Sequence, residues 1–177
     1  GWPIVALGLA SLACGYAYTG GPKPIAYTPL GELFVLAFFG LAAVGGTYYL
    51  QTLTLSWTAI GAGLAVGLPA AAVLVINNYR DLETDKRVGK HTLATYIGRP
   101  SSRHLYGLML VSPPALGLLL VPHPLLKWLP WLALPLALWL IRQLWVLAVD
   151  QRLNALLART AQYQLLFGAL LCIALLA

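Results

Sequence analysis

The most informative segment of the chain runs from Trp57 to Lys90 and reads WTAIGAGLAVGLPAAAVLVINNYRDLETDKRVGK. Residues 57–79 contain no Asp, Glu, Lys or Arg, and about 20 such residues suffice to cross the hydrocarbon of a bilayer. Residues 77–90 then hold three of the chain's five acidic residues. The segment therefore predicts a transmembrane helix that ends in a charged motif with a functional role.

The composition of the whole chain agrees with a membrane protein. Of 177 residues, 60% are hydrophobic and 9% are charged, and the mean hydropathy is +0.79. Soluble domains carry a much larger share of charged residues. We therefore expect an all-α, multi-pass transmembrane helical bundle that forms a single domain over residues 1–177. Its six predicted spans are 2–18, 33–50, 57–79, 105–121, 125–147 and 160–176.

The basic residues fall on one side of these six spans. Lys127 is alone on the other side, where Trp2, Trp57, Trp128 and Trp131 mark the interface. By the positive-inside rule the basic side is cytoplasmic, so we expect an integral protein of the inner (cytoplasmic) membrane of a bacterium. The net charge of +6 then reflects topology and anionic lipid, and no nucleic-acid motif is present. The basic residues on the cytoplasmic side are Lys23, Arg80, Lys86, Arg87, Lys90, Arg99, Arg103, Arg142, Arg152 and Arg159.

Three oxygen-bearing side chains recur every four residues at the end of the third span. They are Asn77, Asp81 and Asp85. Four helical residues advance about 6 Å and return to within about 40° of the same face, so the three share one helical edge, here called the acidic edge. Mg²⁺ is usually held by one or two carboxylates together with substrate phosphates. The acidic edge therefore predicts a site for a metal-bound diphosphate.

The alternative is a solvated helix end, in which the two Asp carboxylates pair with Lys86 or Arg87 and hold no metal. The position of Asn77 favours a site, because it lies one turn deeper, where a polar amide is less comfortable without a role. Two other patterns are weaker. Gly63 and Gly67 form a GxxxG pattern, which is typical of helix contacts, and the two cysteines lie inside predicted spans without metal-ligand spacing.

Longer segments of the chain resemble a known family. The run NNYRDLETDKRVGKHTLATYIG (77–98) resembles the second aspartate-rich motif of the UbiA superfamily of intramembrane prenyltransferases, in the form found in 1,4-dihydroxy-2-naphthoate prenyltransferases. YTGGPKPIAYTPLGELFVLAFFG (18–40) and GTYYLQT (46–52) are similar to segments that precede this motif in the same subgroup. The resemblance covers most of the first hundred residues.

The resemblance implies an enzyme that transfers a prenyl group from a prenyl diphosphate to 1,4-dihydroxy-2-naphthoate, with decarboxylation, in menaquinone or phylloquinone biosynthesis. It implies Mg²⁺ as cofactor, and a family with nine transmembrane helices and a first aspartate-rich motif that is absent here. We therefore expect the chain to begin at the fourth helix, with three N-terminal helices as its missing partner, and to be inactive alone. The implied metal ligands are Asn77, Asp81 and Asp85, and the implied diphosphate-binding residues are Lys90, Lys86, Arg87, Arg80 and Lys23.

Several alternatives stay open at this point. Each basic candidate is also explained by the positive-inside rule alone. Another aromatic acceptor, such as 4-hydroxybenzoate, homogentisate or a chlorophyllide, fits the same chemistry. A transporter subunit is disfavoured because ionisable residues are almost absent from the spans, apart from Arg142. A purely structural membrane subunit has no use for an aligned Asn and two Asp.

Overall fold

The structure is a computed structural model that describes residues 1–177. It contains six long helices and no strand, which confirms the all-α prediction. Five of the six are long and apolar enough to cross a membrane; the exception is the fourth, whose first turns carry Arg99, Arg103 and His104. The helices are α1 (Trp2–Thr19), α2 (Gly31–Thr52), α3 (Trp57–Arg87), α4 (Leu93–Leu120), α5 (Leu126–Val146) and α6 (Arg152–Leu176).

Helices α3 and α4 extend well beyond the spans that hydropathy predicts. Residues 80–104, which lie between the predicted third and fourth spans, are largely helical, because α3 continues to Arg87 and α4 begins at Leu93. Helix α4 is kinked at Gly98, whose φ of +74° is not helical. Hydropathy marks where the apolar stretch ends, whereas Glu, Lys and Arg continue a helix readily outside it. Lys86 and Arg87 in the last turn also stabilise the negative end of the helix dipole. The acidic edge is therefore helical along its whole length.

Helix α3 lies at the centre of the bundle and packs against α2, α4 and α6. Ser56 begins it, because the Ser56 hydroxyl accepts a hydrogen bond of 3.0 Å from the Ala59 N–H. Much of its buried surface consists of Ala and Gly, which let neighbouring helices approach closely. The central helix therefore holds the acidic edge against elements that are distant in sequence.

The GxxxG pattern of α3 forms a close contact with α2, as the sequence predicts. A π-helical stretch, Leu36–Ala42, interrupts α2 and brings Gly40 against α3. A Cβ atom added at Gly67 would lie 2.9 Å from the Cα of Gly40, and one added at Gly63 would lie 3.1 Å from the Gly40 carbonyl oxygen. No side chain larger than hydrogen fits at this crossing.

Buried tyrosines join α6 to α4. The Tyr106 and Thr160 hydroxyls lie 2.8 Å apart, and the Tyr163 hydroxyl donates to the Leu110 carbonyl at 2.6 Å. That carbonyl lacks its helical partner, because Pro114 has no N–H to donate. The hydrogen bond lost at Pro114 is therefore replaced by a hydroxyl of the neighbouring helix.

The connections that carry most of the basic residues meet at one end of the bundle. The His91 N–H donates to the Tyr27 carbonyl at 3.0 Å, which joins the α3–α4 connection to the α1–α2 connection. Arg80 hydrogen-bonds Asn154, which brings the start of α6 to the same place. We call this the basic end: residues 20–30, 80–103 and 147–159. The charge asymmetry therefore corresponds to one physical end of the bundle, whose cytoplasmic orientation stays a prediction.

Candidate functional site at the basic end

The acidic edge lies on the last three turns of α3 at the basic end. The Asp85 side chain is buried, 8% exposed, whereas the Asp81 side chain is 34% exposed. Asn77, one turn deeper than Asp81, is partly buried. The three side chains thus run from the interior of the bundle to its end, as their spacing predicts.

Arg80 folds back onto the acidic edge. Its Nε donates to Asp81 Oδ1 at 2.7 Å, and its Nη2 donates both to Asp81 Oδ2 at 2.7 Å and to Asn77 Oδ1 at 2.8 Å. Its Nη1 donates to Asn154 Oδ1 of α6. A bidentate guanidinium–carboxylate pair is among the stronger polar contacts in proteins. Arg80 therefore joins two of the three predicted metal ligands and ties them to α6.

Lys90 approaches the third predicted ligand. Its Nζ lies 3.4 Å from Asp85 Oδ1, and its backbone N–H donates to the Asp85 carbonyl at 2.9 Å. The ammonium also lies 5.0 Å from the centre of the Tyr27 ring. The chain can turn back in this way because Gly89 adopts a φ of +74°. The structure therefore brings together the predicted diphosphate-binding Lys90 and the acidic edge.

The other basic candidates lie apart from the acidic edge. Lys23, Lys86 and Arg87 are exposed, and none of the four ion pairs in the structure involves them. Arg87 donates only to the carbonyl of Glu83, in its own helix, at 3.3 Å. The alternative in which Lys86 or Arg87 neutralises the aspartates does not occur in the structure, where Arg80 and Lys90 take that place.

Two further residues of this end were not predicted. Asn78, next to Asn77, donates from Nδ2 to Oε1 of Glu32 at 2.9 Å, and both side chains are buried. Glu32 begins the second apolar span, and an acid in that position is expensive unless it has a role. Two sequence features could have identified these residues: the acid at the start of an apolar span, and the second Asn directly after Asn77.

A second group of charges lies on the side of α3 that faces α4. Arg99 pairs with Glu83 at 3.1 Å, and the guanidinium groups of Arg99 and Arg103 lie 5.9 and 5.5 Å from the centre of the Tyr79 ring. Arg103 also lies 5.0 Å from the ring of Trp145, on α5. Cation–π contacts of this kind stabilise packing between helices. These arginines therefore brace the bundle and lie apart from the acidic edge.

The donor set of the acidic edge suits a hard cation. Carboxylate and amide oxygens are the ligands that Mg²⁺ prefers, and Mg²⁺ sites in proteins are completed by water and by substrate phosphates. No group of three His, Cys, Asp or Glu side chains lies together in the structure. The residues present therefore fit one arm of a metal–diphosphate site, with two carboxylates, one amide and an adjacent lysine.

Fold and site together define a polytopic membrane protein with a polar, acid-rich site at the basic end of an apolar helical bundle. Residues 1–171 match the UbiA prenyltransferase family, and the chain belongs to this family. A 1,4-dihydroxy-2-naphthoate octaprenyltransferase of Mycobacterium tuberculosis is 41% identical over 122 residues, 68% of this chain and 42% of that protein. One of Haemophilus influenzae is 46% identical over 110 residues, 62% of this chain and 35% of that protein.

Similarity extends to animal proteins. Human UbiA prenyltransferase domain-containing protein 1 is 35% identical over 158 residues, 89% of this chain and 45% of that protein. In each of these comparisons the match spans less than half the length of the relative. The resemblance found in the motifs is therefore confirmed at the level of the family, and the protein is an integral membrane protein.

Proposed function

We propose that the protein to which this chain belongs transfers a prenyl group from a prenyl diphosphate to 1,4-dihydroxy-2-naphthoate, with loss of carbon dioxide, in quinone biosynthesis. The observation that carries the proposal is the acidic edge with Lys90 placed against Asp85, at the basic end of an apolar bundle. The names of the bacterial relatives support the acceptor.

Asn77, Asp81 and Asp85 would hold Mg²⁺, which as a Lewis acid neutralises the charge of a departing diphosphate. Family members are generally dependent on a divalent metal. In the structure, Arg80 occupies the oxygens of Asp81 and Asn77, and Lys90 faces Asp85. Both cations would therefore be close to a diphosphate bound at the acidic edge. Lys86, Arg87 and Lys23 remain candidates for diphosphate binding that lie farther from this edge.

The environment also suits the substrates. An isoprenoid tail needs an apolar surface, an allylic cation needs protection from water, and a diphosphate needs the aqueous edge. The acidic edge lies where the apolar part of α3 ends, and a site at such a boundary would suit all three needs. We further propose that the basic end faces the bacterial cytoplasm, and that a second acidic arm on helices outside this chain completes one transmembrane domain.

The experiment measures transfer of a radiolabelled prenyl group to dihydroxynaphthoate by the complete membrane protein. Asp81→Asn and Asp85→Asn should each reduce transfer by orders of magnitude and leave membrane insertion intact, because charge as well as polarity is needed to hold Mg²⁺. Asp150→Asn is the matched control, since Asp150 is an acid at the same end that pairs with Arg152 in an exposed position. Near-normal turnover by either edge variant would refute the metal site.

Two further arms of the same assay test the acceptor and the missing partner. Dihydroxynaphthoate should be preferred to 4-hydroxybenzoate, homogentisate and a chlorophyllide when each is supplied alone. The 177-residue chain should show no transfer until the upstream helices are supplied, because the proposed metal site needs carboxylates from two motifs and this chain provides one of them. Absence of Mg²⁺-dependent transfer to any acceptor by the complete protein would favour a transport or structural role instead.

A further inference from the structure

The buried carboxylate of Glu32 has no part in the acidic edge. Glu32 lies in the first turn of α2 and is 4% exposed, and its Oε1 accepts the hydrogen bond from Asn78. Its Oε2 is buried and has no hydrogen-bond partner. A buried polar atom without a partner destabilises the fold, and more so when the group is charged. A carboxylate oxygen only accepts hydrogen bonds, so the group that would satisfy it is a donor.

Asn78 places this carboxylate on the acidic side of α3. Asn78 and Asp85 are seven residues apart, which is nearly two helical turns, so their side chains leave α3 on almost the same side, about 10 Å apart along the axis. Asn77 and Asn78 thus make different contacts: Asn77 belongs to the acidic edge, and Asn78 donates a hydrogen bond to Glu32 of α2. Glu32 is therefore held on nearly the same side of α3 as Asp85, about two helical turns deeper in the bundle.

An aromatic-lined cavity lies near the first turn of α2. A cavity of about 560 Å³ lies between α1 and α2, and its lining includes Tyr18 and Phe34. Phe34 is two residues from Glu32, and a Cβ atom added at Gly31 would lie 3.5 Å from the Tyr18 hydroxyl. The rings of Phe34 and Phe38 are stacked, with centres 5.8 Å apart. Glu32 does not line the cavity itself, and its side chain leaves α2 on a different side from that of Phe34, but both residues lie in the first turns of this helix. Aromatic faces and a carboxylate oxygen without a partner therefore lie at the same end of α2, and a hydroxylated aromatic ring would interact with both kinds of group.

We propose that Glu32 is the proton acceptor for a ring hydroxyl of the aromatic acceptor, and that Asn78 is the residue that positions it. This inference rests on the proposed function. A hydroxyl donor of the substrate would satisfy Oε2, and its deprotonation would raise the electron density of the ring that attacks the allylic carbon.

The proposed step conserves protons and electrons. The carbon–oxygen bond of the prenyl diphosphate breaks, and its electron pair leaves with the diphosphate. The hydroxyl proton moves to Glu32 while the ring carbon that bears the carboxylate bonds to the allylic carbon, and the hydroxyl oxygen becomes a carbonyl. The bond to the carboxylate then breaks, carbon dioxide leaves, and its electron pair restores the aromatic ring as the oxygen regains the proton from Glu32. No oxidant or reductant is required.

The test uses Glu32→Gln in the complete membrane protein. The amide oxygen of Gln still accepts from Asn78, so the tie between α2 and α3 is kept while the basic oxygen is lost. We expect kcat with dihydroxynaphthoate to fall at least about 100-fold, as is typical for loss of a general base, with the KM for prenyl diphosphate unchanged. Glu32→Asp should recover part of the loss. Glu83→Gln is the control, because Glu83 is an exposed acid of α3 that pairs with Arg99.

A second measurement keeps the inference testable if Glu32→Gln does not fold. The wild-type protein should use dihydroxynaphthoate far better than the analogue in which both hydroxyls are methylated, by about the factor that Glu32→Gln loses. Equal rates with the two acceptors, or wild-type kcat in folded Glu32→Gln, would overturn the role of Glu32. No transfer at all by the wild type would instead refute the proposed function, and the inference with it.

Discussion

The crossing of α2 and α3 offers the sharpest test of the fold, through Gly67→Ala. The added methyl would lie 2.8 Å from Leu36 Cδ1, 2.9 Å from Gly40 Cα and 3.0 Å from the Leu36 carbonyl oxygen. Two of these three atoms belong to the backbone, so they do not yield by a rotamer change, and α2 has to move away. Overpacking of this kind costs about 1–3 kcal/mol. Replacing Gly by Ala within a helix also stabilises the protein by about 1 kcal/mol through helix propensity. A control variant is needed to separate this gain from the steric cost.

Gly168→Ala is that control. Gly168 lies within α6 and has no atom within 4 Å of the position of its added methyl, so only the helix-propensity gain applies. The two variants should therefore differ in unfolding free energy by about 1–3 kcal/mol, which is about a 5- to 150-fold difference in the unfolding equilibrium. Tryptophan fluorescence during titration of micelles with sodium dodecyl sulfate measures it. If Gly67→Ala proves as stable as Gly168→Ala, the close crossing of α2 and α3 is wrong.

Two other predictions concern the orientation of the protein in the membrane and the carbonyl that Pro114 leaves without a helical partner. In a background without native cysteines, Thr84→Cys should react with a membrane-impermeant thiol reagent only from the cytoplasmic side and Thr54→Cys only from the outside; the reverse pattern would show that the topology is inverted. Tyr163→Phe should destabilise the protein by about 1–3 kcal/mol, because it leaves the buried Leu110 carbonyl without a hydrogen-bond donor. The usual helical donor to that carbonyl is absent because residue 114 is proline. Tyr16→Phe, on the exposed face of α1, should leave stability unchanged in the same unfolding assay.

Arg80 and Lys90 bear on the proposed function through the two aspartates that they approach. Arg80 neutralises Asp81 and Lys90 faces Asp85 in the structure, so both aspartates already have a cation nearby. Buried or half-buried carboxylates are costly without such partners. Under the proposed function, the same two cations would face the diphosphate when a metal ion occupies the carboxylates. Arg80 and Lys90 would thus stabilise the site before and after substrate binds.

Local patterns were enough to predict the helices and the acidic edge. Hydropathy is a property of consecutive residues, and a spacing of four residues places Asn77, Asp81 and Asp85 together on any helix, whatever surrounds it. The charge pattern likewise anticipated that the basic connections meet at one end, because each membrane crossing reverses the chain. The predicted ends of α3 and α4 were wrong because hydropathy marks only the apolar stretch of a helix. It does not show whether the helix continues beyond that stretch.

Contacts between distant residues depended on packing. Glu32 and Asn78 are 46 residues apart, and Arg80 and Asn154 are 74 apart. No periodicity links such pairs, because they meet only after α2 and α6 have packed on α3. The choice of Arg80 over Lys86 or Arg87 as the partner of Asp81 also follows from this packing, since Asn154 of α6 accepts a hydrogen bond from the Arg80 guanidinium and helps to hold it over the acidic edge. The residues of the acidic edge could thus be predicted from the sequence of one helix. Their contacts with α2 and α6 were determined by the packing of those helices against α3.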